Sequence, residues 1–97
     1  MPDPTLYFTT AVLTPLVTET ALARCTVTAW DPNADEWRVD RRWPSLSTGE
    51  EILWDILARL ARRDPVPTEV LDRAKAHLDD DNRRVLVDVL LSVGEPV

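Results

Sequence analysis

One cysteine, one histidine, one lysine and two glycines are all that the 97 residues offer of several side chains commonly recruited to chemistry or tight loops. A lone Cys25 cannot close an intramolecular disulfide, which excludes a disulfide scaffold and fits a reducing compartment. His77 is the single imidazole available to activate a Ser or Cys nucleophile. Gly49 and Gly94 both occupy helix-end positions, so no glycine-rich phosphate cradle can be assembled. Apolar runs are broken by Thr, Arg or Asp well short of the ~20 residues that cross a bilayer. The opening MPDPTLYFTT lacks a basic segment followed by an apolar one, so no secretory signal is readable and the expected location is the cytoplasm.

What remains is ordinary for one soluble domain: 44% hydrophobic and 29% charged residues, enough for a modest core. The net charge is −6, with eleven basic against seventeen acidic side chains. It divides unevenly, at −3 over residues 1–35, +1 over 36–63 and −4 over 64–97. A negative field repels phosphates, which disfavours general nucleic-acid binding. Ten of the eleven basic residues are Arg, a bias of high-GC genomes.

The clearest element is Leu46–Leu60. Ser47 or Thr48 can cap it, and Glu50 or Glu51 can close a capping box. Ile52, Leu53, Ile56, Leu57 and Leu60 recur at helical spacing, while Glu51, Asp55, Arg59 and Arg62 line a polar side, Asp55 four residues before Arg59. Asp64-Pro65-Val66-Pro67 breaks the helix. Thr68 is the expected cap of a second helix, Glu69–His77, with Val70, Leu71 and Ala74 inward. Asp79-Asp80-Asp81-Asn82 then reads as a turn and a new cap. The third helix is expected over Arg83–Val93, closed by Gly94 with Pro96 beyond.

The first third reads as β. Leu6–Leu13 is rich in aromatic, Thr and Val residues, and Pro15 should end or bend it. Thr18–Trp30 alternates, with Ala21, Ala23, Cys25, Val27 and Ala29 on one side, although Glu19–Arg24 also suits a helix. Asp31–Asp35 is dense in turn formers and Glu36–Asp40 alternates again, giving an antiparallel hairpin with Trp30 and Trp37 as a cross-strand pair. A stacking platform is the functional alternative for those rings. The acids between them argue against one that holds nucleic acid. Arg38, Arg41 and Arg42 read as a solvated cluster paired to local acids. The expected fold is α+β: one domain over 1–97, with an N-terminal hairpin or three-stranded meander in 1–44 packed on three helices in 45–97.

The segments SLSTGEEILWDILARL and LDDDNRRVLVDVLLSVG resemble small uncharacterised proteins of actinobacteria and their phages. Those carry a Leu-Ser-Ser-Gly-Glu helix start, then a Leu-Asp-Asp-x-Asn turn that opens a final helix ending in Gly. Ser47-Thr48-Gly49 departs slightly from that pattern, and the resemblance covers Ser45–Gly94. It implies a high-GC bacterial or phage origin and helical packing of the second half, and it assigns no catalytic residue.

No catalytic constellation is visible, so a protein that is not an enzyme is expected. His77 with Asp79–Asp81 lacks the spacing of any specific metal site, and no metal or other cofactor is expected. Two helices carry a second apolar strip beside the main stripe: Trp54, Ala58 and Ala61 on one, Val87 and Leu91 on the other. Such a strip is buried between layers or meets a partner. These five residues are the candidate docking surface, for another protein or a second copy, with Trp54 the chosen anchor. The function expected is that of an acidic protein-binding accessory or regulatory factor. Two alternatives stay open: a helix-turn-helix-like unit over 68–77 and 83–93 that uses Arg83 and Arg84, and an acidic mimic of DNA.

Overall fold

In a computed structural model the described residues, 5–94, form a three-stranded antiparallel sheet packed on helices, an α+β fold. β1 (Thr5–Phe8) leads through a 3-10 turn (Ala11–Leu13) into two short helices, α1 (Thr14–Thr18) and α2 (Leu22–Cys25). β2 (Thr26–Asp31) and β3 (Glu36–Arg41) make the hairpin. α3 (Thr48–Ala61), α4 (Thr68–His77) and α5 (Asp80–Gly94) follow. Strand order is β1-β3-β2, so β1 joins the far side of β3 and leaves β2 as an edge.

The hairpin follows from its turn. Asp31 accepts hydrogen bonds from the backbone of Asn33 and Ala34, and Asp35 takes the left-handed conformation that closes the loop. The register then sets Trp30 directly opposite Trp37, their rings edge to face at 5.2 Å. Residues opposite one another share a face, so Leu6, Val39 and Thr28 form one inward row and Phe8, Trp37 and Trp30 the next. The core joins that face to Leu13, Leu16, Val17 and Leu22 of the N-terminal helices and to the stripe of α3.

Several boundaries differ from the sequence pattern. Leu6–Leu13 is a strand only to Phe8; Pro15 stands at the start of α1, where its missing N–H costs nothing. The alternation across Thr18–Cys25 is accidental, and Leu22–Cys25 is helical. Thr20 accepts from the backbone N–H of Leu22, and Asn82 of α5 reaches back to accept from that of Ala21 at 3.0 Å. In β2 the buried residue is Thr26, while Val27 and Ala29 face outward, because Thr28 shares its row with Val39. Thr68 lies inside α4, behind Pro67 at the cap position. Asp79 caps α5 by accepting from Asn82 N–H at 2.9 Å, so that helix starts three residues early and runs through Gly94. Pro96 lies outside the described residues.

Candidate protein-docking surface

The two second strips meet different neighbours. α3 begins at a complete capping box: Ser47 Oγ accepts from Glu50 N–H, and the Glu50 carboxylate accepts from Ser47 N–H at 2.8 Å. That backbone donor holds the Glu50 carboxyl below its usual range. The helix so started turns Ile52, Leu53, Ile56 and Leu57 into the core. Trp54 is buried as well, with 1% of its surface exposed. Ala58 is buried and Ala61 half-buried against the same core.

The cover over that strip has two parts. α4 packs on α3 and sets Val70 beside Trp54 and Ala58, around a cleft of about 340 Å³. Arg41, on the inward face of β3, lays its guanidinium 5.5 Å from the centre of the Trp54 ring. Arg41 Nη2 donates to the Pro44 carbonyl at 2.6 Å and to Glu51 Oε1 at 3.1 Å. Its side chain is 6% exposed, so it belongs to the interior and not to a solvated basic cluster. Trp54 Nε1 and Arg41 Nε are buried without a hydrogen-bond partner. Trp54 and Ala58 are thus core residues, which corrects the expectation that Trp54 anchors a partner. The indole is 1% exposed and carries the Arg41 guanidinium over its ring.

Arg41 escaped sequence reasoning although a signal existed. Strand alternation through Trp37 and Val39 brings position 41 to the same face.

α5 presents the opposite case. Leu86 and Val89 are buried, and Val87 and Leu91 lie roughly 150° round the axis at 3.6 residues per turn. They are 51% and 65% exposed, on a face shared with Arg84. Val93 and, on the 3-10 turn, Val12 are exposed too. Between the 3-10 turn, α1 and α5 runs a shallow cleft of about 270 Å³, lined by Val12, Pro15, Val85, Val89 and Ser92 among others. The cleft also carries Glu19 and Asp88 and includes neither Val87 nor Leu91, whose exposed strip is a separate apolar surface of the kind that protein partners cover.

Arg83 and Arg84 come apart. Arg83 pairs with Asp80 and donates to the Lys75 carbonyl, whereas Arg84 is exposed. α5 packs against α1 and the 3-10 turn while α4 packs on α3, so these two helices do not form the mutually packed pair of a helix-turn-helix. Cys25 closes α2 and is buried, its thiol pushed up first by that burial and then by the nearby Glu50 carboxylate. Among the described residues no group of three or more His, Cys, Asp or Glu side chains could hold a metal ion. No helix there is long and apolar enough to cross a membrane. Comparison with protein-family models, curated proteins and solved structures finds no match.

Proposed function

We propose that this chain is a small acidic protein-binding accessory or regulatory factor of a high-GC bacterium or its phage, and that it docks through the outer face of α5. The observation that carries this reading is the exposure of Val87 and Leu91 on one strip of a helix whose core side is already filled. Burying two such side chains contributes roughly 1.5–3 kcal/mol each, which nothing among the described residues collects. The partner's matching surface is apolar with mixed charge at its rim, because Arg84 shares the face of the strip while Asp81 and Asp88 border it.

The test is capture from an actinobacterial lysate on immobilised wild-type protein and on Val87→Glu/Leu91→Glu side by side. A protein held by the first and lost from the second supports docking at α5. Equal capture by both, with the double variant folded by circular dichroism, moves the function to another surface.

A further inference from the structure

The hydrogen-bond phase of the hairpin decides what the free edge of β2 offers. Arg42 N–H donates to the Cys25 carbonyl at 2.8 Å, which makes Cys25 and Arg42 a hydrogen-bonded pair. Such pairs alternate in an antiparallel ladder, so Val27, Ala29 and Asp31 turn their backbone groups towards β3. Thr26, Thr28 and Trp30 turn theirs outward. β2 is the sheet edge, and its sequence TVTAWD lacks the Lys, Pro or bulge with which edges are usually blunted. Thr26 is buried at this edge and its carbonyl accepts from Arg42 Nε at a long 3.4 Å, whereas Thr28 is half-buried and Trp30 exposed.

We propose that β2 pairs with β2 of a second copy of this chain, antiparallel about a two-fold axis through Thr28, giving a continuous six-stranded sheet. This surface is separate from the α5 face and does not rest on the reading given above. Three observations commit it to a second copy in that register. First, an antiparallel pair is self-complementary about a two-fold, and only the axis at Thr28 uses all three outward residues, with Thr28 opposite itself and Thr26 opposite Trp30. Second, Val27 then lies across from Ala29 on the outer face, both exposed and apolar, with Val27 itself 50% open. Third, the ends match in charge. The turn end of the hairpin carries Asp31, Asp35 and Glu36, and the other end carries exposed Arg24 and Arg42. Antiparallel pairing sets each acidic end beside the partner's basic one. The Trp30 N–H replaces Arg42 on the Thr26 carbonyl, and the freed guanidinium meets those acids. The opposite edge, β1, spans four described residues against six in β2, and α3 packs against it.

Size by sedimentation and amide exchange at low and high concentration test the pairing. The expected result is a dimer in which the Thr28 and Trp30 amides, open to water in the monomer, slow their exchange as concentration rises. Thr28→Pro removes an outward donor that β3 does not use and should weaken the dimer at least about tenfold. Because proline can disturb the strand itself, a second pair of variants reads the register. Val27→Lys/Ala29→Lys sets like charges opposite each other and should dissociate the dimer. Val27→Lys/Ala29→Glu sets opposite charges there and should retain it. A monomer at all concentrations overturns the proposal. So does a dimer indifferent to both Lys variants but lost in Val87→Glu/Leu91→Glu, and so does an open-ended assembly, which would mean β1 pairing with β2.

Discussion

Trp54 on α3 and Leu91 on α5 occupy equivalent places in their helices, each on an apolar strip turned away from the main stripe. One is 1% exposed and the other 65%. Helical periodicity cannot tell them apart, because it describes the helix and not what lies against it. The difference is made by the neighbours each helix has among the described residues. α3 sits in the middle of the fold, with the sheet before it and α4 after it, and both reach its second strip. α5 packs on the 3-10 turn and α1, and nothing in residues 5–94 covers its far side. An apolar strip on a helix with packed neighbours on both sides is therefore weaker evidence of a partner than the same strip on a helix packed on one side.

The comparison breaks most easily at Trp54. Trp54→Ala removes a fully buried ring and should cost about 3–5 kcal/mol in denaturant unfolding. It also takes away the surface on which Arg41 is stacked, leaving that charge at a cavity. Trp54→Glu should fail to fold. A folded Trp54→Glu chain, or a loss below about 1 kcal/mol in the alanine variant, would show the two strips to be alike after all.

Trp37 takes an intermediate place. It packs on the core while half-buried, and its partner Trp30 is 43% exposed. Trp37→Ala should cost about 2–3 kcal/mol, below the value for Trp54, the edge-to-face contact included. A loss equal to that of Trp54→Ala would mean that the Trp pair, and not α3, holds the sheet to the helices.

How far the sequence foretells the fold varies with the length over which a signal repeats. α3 shows its stripe over about four turns and announces its start with Ser47 and Glu50, and both features are where the pattern puts them. The hairpin is legible because the turn residues and the two Trp residues are local to each other. α1 and α2, at five and four residues, are too short to display a helical period. Their stability comes from Leu16, Val17 and Leu22 in the core and from distant Asn82, none of it visible to a local reading. The same limit hid the cover over Trp54, since Arg41 lies thirteen residues away and only the register brings it there.

The capping box gives a smaller effect with a pH signature. Ser47→Ala should destabilise the chain by about 1 kcal/mol. The folded Glu50 carboxyl titrates below its ordinary value because it accepts from Ser47 N–H. Its contribution is therefore complete above the unfolded carboxylate pKa and is lost as pH falls through the folded one. Glu50→Gln should remove that part of the acid-side decline, and an unchanged profile would place the decline in other carboxylates.

The smallest expected effect sharpens the comparison furthest. Leu91→Glu changes a side chain with no core role in residues 5–94, so its unfolding free energy should stay within about 0.5 kcal/mol of wild type. On α3 the same kind of substitution, Trp54→Glu, is expected to destroy the fold. If Leu91→Glu instead costs 2 kcal/mol or more in dilute monomer, the strip has an intramolecular cover and α5 offers no docking face. If the cost appears only at high concentration, the stability lost belongs to self-association through α5. Neutral stability together with lost partner capture is the outcome that separates an open strip from a closed one. It would tie the difference between α3 and α5 to what each helix lies against.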